Sequence, residues 1–169
     1  TASAGANQSL CGLNTATTAT LAANTPTSGT GAWTVVSGTG SFSNTAAANA
    51  TVSGLSYGAN VFRWTVTNGT CTPSTSDVTI TLFEPPTTAN AGGDQDLCGL
   101  NTATTATLAA NTPAVGTGAW TVVSGTGTFG DATSATSPVS GLSYGANVFR
   151  WTVSNGSCTV STDEITITL

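Results

Sequence analysis

Few side chains in this sequence can take part in chemistry. The charged residues are two arginines and seven carboxylates, and the chain contains no histidine, lysine or methionine. The other reactive groups are four thiols, at Cys11, Cys71, Cys98 and Cys158. Without histidine or lysine, the usual general bases near neutral pH and the usual amine nucleophile are missing. We therefore expect no enzyme activity and no bound cofactor.

The carboxylates offer two arrangements to weigh. Asp163 and Glu164 are neighbours in a predicted strand, so they point to opposite faces and are badly placed for paired acid–base catalysis. Asp94 and Asp96 are a weak candidate for a calcium site, because calcium binds carboxylate oxygens. Calcium needs six or more oxygens, however, and only the second half of the chain carries this acid pair. Two solvated carboxylates are the favoured interpretation, and we expect no metal.

A repeat organises the whole chain. A shift of 87 positions, the sequence distance from Cys11 to Cys98, lays the sequence on itself without a gap. The repeat predicts two domains, at residues 1–82 and 88–169, joined by a short linker at residues 83–87 that contains two prolines. Because the chain starts and stops in the register of this repeat, we expect it to be an excerpt of a longer array.

The residues between the cysteines follow a strand pattern. Residues 54–71 read GLSYGANVFRWTVTNGTC and return almost unchanged at residues 141–158. Within this stretch apolar and polar side chains alternate, which predicts a half-buried antiparallel strand followed by a hairpin at Asn68-Gly69. With about seven short strands in each repeat and no apolar stripe at helical spacing, the sequence predicts two all-β sandwiches. Six aromatic residues are expected in the cores: Trp33, Tyr57, Trp64, Trp120, Tyr144 and Trp151.

The four cysteines are interpreted as a disulfide framework, which implies an oxidising compartment. Four cysteines allow three pairings. Equivalence of the repeats favours Cys11 with Cys71 and Cys98 with Cys158, because each domain then holds one disulfide of its own. The rival bond, Cys71 with Cys98 across the linker, would leave the other two cysteines unpaired and is disfavoured.

Charge and polarity exclude several classes of partner. The net charge is −5, and the two arginines form no basic cluster. Nucleic acid and anionic membrane surfaces are therefore not expected as partners. No apolar run approaches the roughly 20 residues of a membrane-spanning helix. We expect an extracellular, secreted protein without membrane insertion.

Three surface features are weighed as binding or ion-pair sites. Arg63 and Asp77, like Arg150 and Glu164, keep opposite charges on neighbouring predicted strands, which is typical of a surface salt bridge. Threonines on the same two strands of the first repeat (Thr65, Thr67, Thr79 and Thr81) suggest a flat hydroxyl array for ice or glycan, although a solvated β-surface is favoured. The segment at residues 41–51 differs strongly from its counterpart at residues 128–138 and is interpreted as a variable surface loop.

Several of these motifs resemble a known group of repeats. AGxxQxLCG at residues 4–12 and 91–99, GxGxW at residues 29–33 and 116–120, and the motif GLSYG followed by alternating aromatics are similar to immunoglobulin-like and PKD-like repeats. Such repeats occur in giant cell-surface adhesins of Bacteroidota, including the gliding-motility type. The resemblance implies Ig-like domains exported to the cell surface as a stalk or adhesin, with Tyr57 and Tyr144 placed as tyrosine corners. A cysteine beyond the hairpin departs from antibody domains, so the bridge would pin the first strand at one end of the sandwich.

These inferences lead to one function and one alternative. The chain is expected to be a non-enzymatic structural repeat of a long extracellular surface protein that forms a stalk, an adhesin array or a fibre. Its partners would be neighbouring repeats of the same chain, with homopolymer or lateral fibre contacts as further partners. The alternative is an adhesive module that binds a glycan or a surface through residues 41–51 and 128–138 or through the threonine-rich face.

Overall fold

The computed structural model describes residues 1–14, 16–100 and 104–169, and the regular structure of these residues is β-strand without helix. The chain forms two compact units. Unit 1 comprises Thr1–Pro85 and Gly156–Cys158, and unit 2 comprises Pro86–Asn155 and Thr159–Leu169. The domain boundaries at residues 82/83 and 87/88 that the repeat suggests stay a prediction.

Unit 1 is a pair of sheets. Its strands are β1 (Gln8–Cys11), β2 (Ala19–Thr20), β3 (Thr30–Ser37), β4 (Ser41–Phe42), β5 (Thr51–Ser53), β6 (Gly58–Thr67) and β7 (Ser74–Phe83). The larger sheet has the order β1-β7-β6-β3 and the smaller sheet the order β2-β5-β4. Neighbouring strands in the two sheets are antiparallel except β1, which runs parallel to β7.

Unit 2 repeats this arrangement. Its strands are β8 (Gln95–Asp96), β9 (Ala106–Thr107), β10 (Thr117–Ser124), β11 (Thr128–Phe129), β12 (Pro138–Ser140), β13 (Ala146–Ser154) and β14 (Ser161–Thr168). The larger sheet has the order β10-β13-β14-β8 and the smaller sheet the order β11-β12-β9. As in unit 1, the first strand is parallel to the last, with Ile167 opposite Gln95.

The long central strand β6 explains how each sandwich forms. Phe62 and Trp64 are fully buried, whereas Val61, Arg63 and Thr65 between and beside them are half-buried. Because side chains alternate between faces along a strand, this period-2 pattern buries one face and solvates the other. The same alternation runs through β13, and the apolar face of each large sheet covers the small sheet to form a core.

The core of each unit is centred on two tryptophans. Trp33 and Trp64 lie opposite each other on β3 and β6, and their ring centroids are 5.1 Å apart. Trp120 and Trp151 repeat this pair on β10 and β13, also at 5.1 Å. The indole N–H of Trp33 donates to the carbonyl of Ala47 at 3.1 Å, which ties the loop before β5 to the core.

Candidate functional site

Cys11 lies at the end of a sheet. It is the last residue of β1 and is paired in parallel register with Phe83, the last residue of β7. The next residue along, Gly12, donates its N–H to the Phe83 carbonyl at 3.1 Å. Since both strands end here, the Cys11 side chain marks the terminal edge of the larger sheet of unit 1.

Cys11 forms a disulfide with Cys158. The sulfurs are 2.04 Å apart, the Cα atoms are 4.9 Å apart, and the bond spans a sequence separation of 147. Cys158 is only 7% exposed, and its Sγ lies 3.6 Å from the Phe83 carbonyl oxygen and 3.3 Å from the Glu84 carbonyl oxygen. The cysteine of the second repeat thus packs at the end of β7, inside unit 1.

The predicted pairs, Cys11 with Cys71 and Cys98 with Cys158, are wrong. Cys71 precedes Ser74, the first residue of β7, whereas Cys11 lies beside Phe83, the last. The two cysteines therefore occupy opposite ends of one strand, about 30 Å apart at roughly 3.3 Å per residue. A disulfide requires Cα atoms within about 7 Å. A bond within one repeat would require the sheet to come apart.

The same geometry separates the other predicted pair. Cys98 follows Asp96, which is opposite Thr168 near the end of β14, whereas Cys158 precedes Ser161 at the start of that strand. The parallel pairing of first and last strands, which no local sequence pattern reveals, explains this separation. It places the first cysteine of each repeat at the end of the last strand and the second cysteine before its start.

The turn that holds Cys158 contains a glycine in the left-handed region, Gly156. Gly156 has a φ of 53°, in the left-handed region that favours glycine. A Cβ at Gly156 would overlap the ring of Phe83, so the turn backbone lies directly against that aromatic side chain. Phe83 belongs to the segment expected to be a linker, and in the structure it completes β7 and contacts this turn.

The remaining cysteines are free thiols. Cys71 and Cys98 are exposed and make no disulfide. Cys71 lies in the turn after β6 that corresponds to the turn holding Cys158, and Cys98 is the counterpart of Cys11. The expected hairpin at Asn68-Gly69 is also longer than predicted: only Gly69 has a positive φ, and residues 68–73 separate β6 from β7.

Tyr57 and Tyr144 were expected in the cores, and this prediction is wrong. Tyr57 is 37% exposed and Tyr144 is 61% exposed. The reason is that Ser56, the residue before Tyr57, turns inward and bonds to Asn60, which directs the next side chain outward. The alternation of buried and exposed positions along the strand indicates this arrangement, because Asn60 is in phase with the buried Phe62 whereas Tyr57 is not.

Asn60 is the corner residue that sequence reasoning missed. Its side chain is fully buried, and its Oδ1 accepts hydrogen bonds from the backbone N–H of Thr39 at 3.0 Å and of Ser56 at 3.2 Å. Its Nδ2 donates to the carbonyls of Ser56 at 2.8 Å and Ile80 at 3.3 Å. Asn147 makes the equivalent bonds in unit 2.

The two arginines form exposed ion pairs. Arg63 lies opposite Asp77 across β6 and β7, and its Nε and Nη2 donate to the two carboxylate oxygens at 2.7 and 2.8 Å. These hydrogen bonds lower the pKa of Asp77 and raise that of Arg63. In unit 2, Arg150 donates to Glu164 at 2.8 and 2.5 Å. Both pairs lie on the solvated face of the sheet.

Four carboxylates of the second repeat (Asp94, Asp96, Asp131 and Asp163) stand where the first repeat has an amide or a hydroxyl. Asp94 Oδ1 accepts the Thr166 N–H at 2.8 Å, as Asn7 Oδ1 accepts the Thr79 N–H at 2.9 Å. Asp131 caps its own loop by accepting bonds from Thr133, which lowers its pKa.

Asp94 and Asp96, the weak calcium candidate, gain no further ligand from the fold. Within residues 1–14, 16–100 and 104–169, no group of three or more acidic, cysteine or histidine side chains comes together.

The two surfaces considered for ligand binding serve the fold. On the solvated face, the Arg63–Asp77 pair lies between Thr65 and Thr79, so the four threonines form no continuous array. In the loop at residues 41–51, the Thr45 carbonyl accepts the backbone N–H of Trp33 at 2.8 Å.

No ligand-sized pocket is found among the residues that the structure describes. The described residues also include no helix with the length and apolarity of a membrane span.

No family model matches the sequence, and no curated protein matches it. Solved structures do resemble it. Murine CEACAM1b superimposes with a TM-score of 0.64 at 13% identity, over 95% of this chain and 94% of that one. Immunoglobulin domains 1–5 of Sidekick-1 give a TM-score of 0.57 at 14% identity, over 98% of this chain and 38% of that one.

A PKD domain from the KIAA 1837 protein is 26% identical over 49% of this chain and 85% of its own length, with a TM-score of 0.41. At identities of 13% and 14%, the CEACAM1b and Sidekick-1 matches show the fold alone. Together with the sheet orders, they confirm the predicted fold class of two all-β sandwiches of the immunoglobulin-like type. The disulfide pattern within that fold is the part that differs from expectation.

Proposed function

We propose that the chain is a non-enzymatic structural repeat of a long extracellular surface protein, built to carry tension as a stalk, an adhesin array or a fibre. The observation that carries this proposal is the Cys11–Cys158 bond, which brackets 147 residue steps of the chain. A force applied at the ends reaches Cys11, crosses the disulfide and leaves through Cys158. The residues between these cysteines are then shielded from extension, whereas β14 and the residues before Cys11 lie outside the bond and carry the load.

Three further features support this role. The two sandwiches carry a repeated sequence, so the unit is extensible into an array by addition of further copies, with each repeat as one domain. The disulfide suits an oxidising compartment, in agreement with a location at the cell surface. The motifs that resemble gliding-motility adhesins of Bacteroidota suggest the same setting. In such an array, the partners would be neighbouring repeats and fibre contacts.

The mechanical role is tested by pulling single molecules from the two termini. In the oxidised protein, residues behind the disulfide cannot extend, so only the short end segments should lengthen. In the C11S/C158S double variant, unfolding should release about 500 Å of additional chain, at roughly 3.3–3.6 Å per residue. The matched control is C71S/C98S, which keeps the bond and should behave as the wild type. Release of the full length from the oxidised wild type would refute the proposal.

The glycan-binding alternative has weaker support. The threonine face is interrupted by an ion pair, and the loop at residues 41–51 is tied to the core through Trp33. A glycan array probed with the intact chain decides between the two, and we expect no carbohydrate to bind.

A further inference from the structure

We propose that Cys98 of one chain forms a disulfide with Cys71 of a second copy, so that chains are joined head to tail by the same bond that joins Cys11 to Cys158. The proposal deepens the proposed function, on which it rests, by naming the covalent partner of the fibre. It stands on two observations: both free thiols are counterparts of bonded ones, and the turn that holds Cys71 shares its backbone conformation with the turn that holds Cys158.

Cys98 lies near the end of β14 in unit 2, as Cys11 lies beside the end of β7 in unit 1. In both units the first strand runs parallel to the last; Cys11 is the last residue of β1, and Cys98 follows the end of β8 by two residues. Leu97, the residue before Cys98, donates its N–H to the Thr168 carbonyl at 2.8 Å, which holds the thiol beside the end of β14. Cys98 is exposed, so a partner can reach it.

Unit 1 presents Cys71 in the turn that Cys158 uses. Gly69 has a φ of 56° and its counterpart Gly156 a φ of 53°, so the two turns share their backbone conformation. At Gly156 a Cβ would overlap the Phe83 ring, whereas at Gly69 a Cβ would meet no atom within 4 Å. The turn at Cys71 therefore has the backbone conformation of the turn at Cys158, but nothing packs against Gly69 in the way that Phe83 packs against Gly156. Pre-formed geometry of this kind lowers the entropic cost of binding.

The bond joins two different cysteines, Cys98 of one copy and Cys71 of the other, and this determines the form of the assembly. Each copy offers one Cys98 and one Cys71, and the contact is heterologous. Heterologous contacts that do not close into a ring generate open filaments. A ladder of linked chains, each with its own Cys11–Cys158 bond, would continue the covalent path along a fibre.

The chemistry balances with a disulfide oxidant such as oxidised glutathione. One thiolate attacks the oxidant and releases one reduced glutathione, and the second thiolate displaces the other. Two S–H bonds are lost, one S–S bond forms between the chains, and two reduced glutathione molecules carry away the protons and electrons. The extracellular setting of the proposed function provides oxidising conditions for this exchange.

Single-cysteine variants of the whole chain test the pairing. The C71S variant keeps only Cys98 as a free thiol, and C98S keeps only Cys71. Each protein is incubated with a glutathione redox buffer and analysed by non-reducing electrophoresis and by mass spectrometry of linked peptides. The wild type should form a ladder of oligomers, and each variant alone should stay monomeric. An equal mixture of the two variants should give dimers and no larger species, with Cys98 linked to Cys71.

Three outcomes would overturn the proposal. Variants that dimerise alone as readily as in the mixture would show unselective oxidation of surface thiols. A wild-type bond between Cys71 and Cys98 of the same chain would show that each chain closes on itself. Glutathione adducts without any link between chains would show that Cys98 of one copy does not meet Cys71 of another. The pulling experiment depends only on Cys11 and Cys158, so the proposed function can fail or stand independently of this result.

Discussion

Asn60 and Asn147 are the polar residues on which each sandwich depends most. Both are fully buried in positions that belong, by strand phase, to the apolar face. Each amide joins three segments of its unit: the loop after β3 or β10, the turn before β6 or β13, and the last strand, β7 or β14. A buried amide is tolerated only because its oxygen and nitrogen are both satisfied.

Replacing Asn60 with alanine should destabilise unit 1 strongly. The change leaves the Thr39 N–H and the Ile80 carbonyl without their buried partner, and each such group costs about 1–3 kcal/mol. We expect a loss of roughly 2–5 kcal/mol in the free energy of unfolding, measured by denaturant titration. Asn49 is exposed and makes a matched control, because N49A should change stability little. Equal effects of the two substitutions would contradict the structural role of Asn60.

The ion pair of Arg63 and Asp77 should be detectable as a lowered pKa of the Asp77 carboxylate. Its hydrogen bonds to the guanidinium lower the pKa of Asp77, so the pair stabilises the fold above the ordinary aspartate pKa. That contribution is lost as the pH falls through the lowered value. In R63Q, the Asp77 titration followed by NMR should move up toward the ordinary range. Because both side chains are about two-fifths exposed, added salt should shrink the difference.

At the scale of elements, the pairing of β3 with β6, and of β10 with β13, brings a glycine of the edge strand against a buried tryptophan. Gly118 on β10 lies under the indole of Trp151 on β13, and Gly31 lies under Trp64 in the same way. A Cβ at either glycine would overlap the ring. The edge strand can therefore lie flat against the tryptophan only where it has no side chain, and the GxGxW motif encodes this contact between strands.

The G118A substitution should loosen the pairing of β10 with β13. The added methyl group displaces the Trp151 ring, and overpacking of a core costs about 1–3 kcal/mol. Gly93, in the same unit, provides the control, because its φ is not positive and a Cβ there meets no atom within 4 Å. Thermal unfolding of G118A and G93A should therefore lower the Tm only for G118A. A similar Tm for both variants would show that the ring has room to move.

At the scale of the whole molecule, one covalent bond encloses most of the chain. The Cys11–Cys158 bond encloses 147 residue steps, more than twice the loop that a bond between Cys11 and Cys71 would close. Longer loops remove more freedom from the unfolded chain, although the dependence on length is weak. The bond should therefore stabilise the fold as well as carry tension.

Removal of this bond should destabilise the molecule, and removal of the free thiols should not. We expect C11S/C158S to lose roughly 2–5 kcal/mol in the free energy of unfolding, as is typical when a native disulfide is removed. C71S/C98S should unfold at the wild-type guanidinium concentration. Peptide mapping without reduction provides an independent check, because only the Cys11–Cys158 pair should be found in the monomer. A loss of stability in C71S/C98S would instead support the pairing within each repeat.

The amino-acid sequence alone determined the class of this fold, because that class depends on local periodicity. Alternation along residues such as Val61 to Trp64 specifies a strand with one buried face, and the shift of 87 positions specifies that the unit occurs twice. The same alternation predicts that the Asn60 side chain points inward, since Asn60 shares the phase of Phe62 and Trp64. Tyr57 is out of this phase, so its exposed position agrees with the same local pattern.

The tertiary structure alone decided the disulfide and therefore the candidate site. Whether two cysteines meet depends on which ends of which strands lie together, and no local pattern carries that information. The parallel pairing of β1 with β7 moved Cys11 to the far end of the sheet from Cys71. Equivalence of the repeats was real, but it matches each cysteine with a counterpart, not with a partner. The bond follows from distance, and distance is a property of the folded chain.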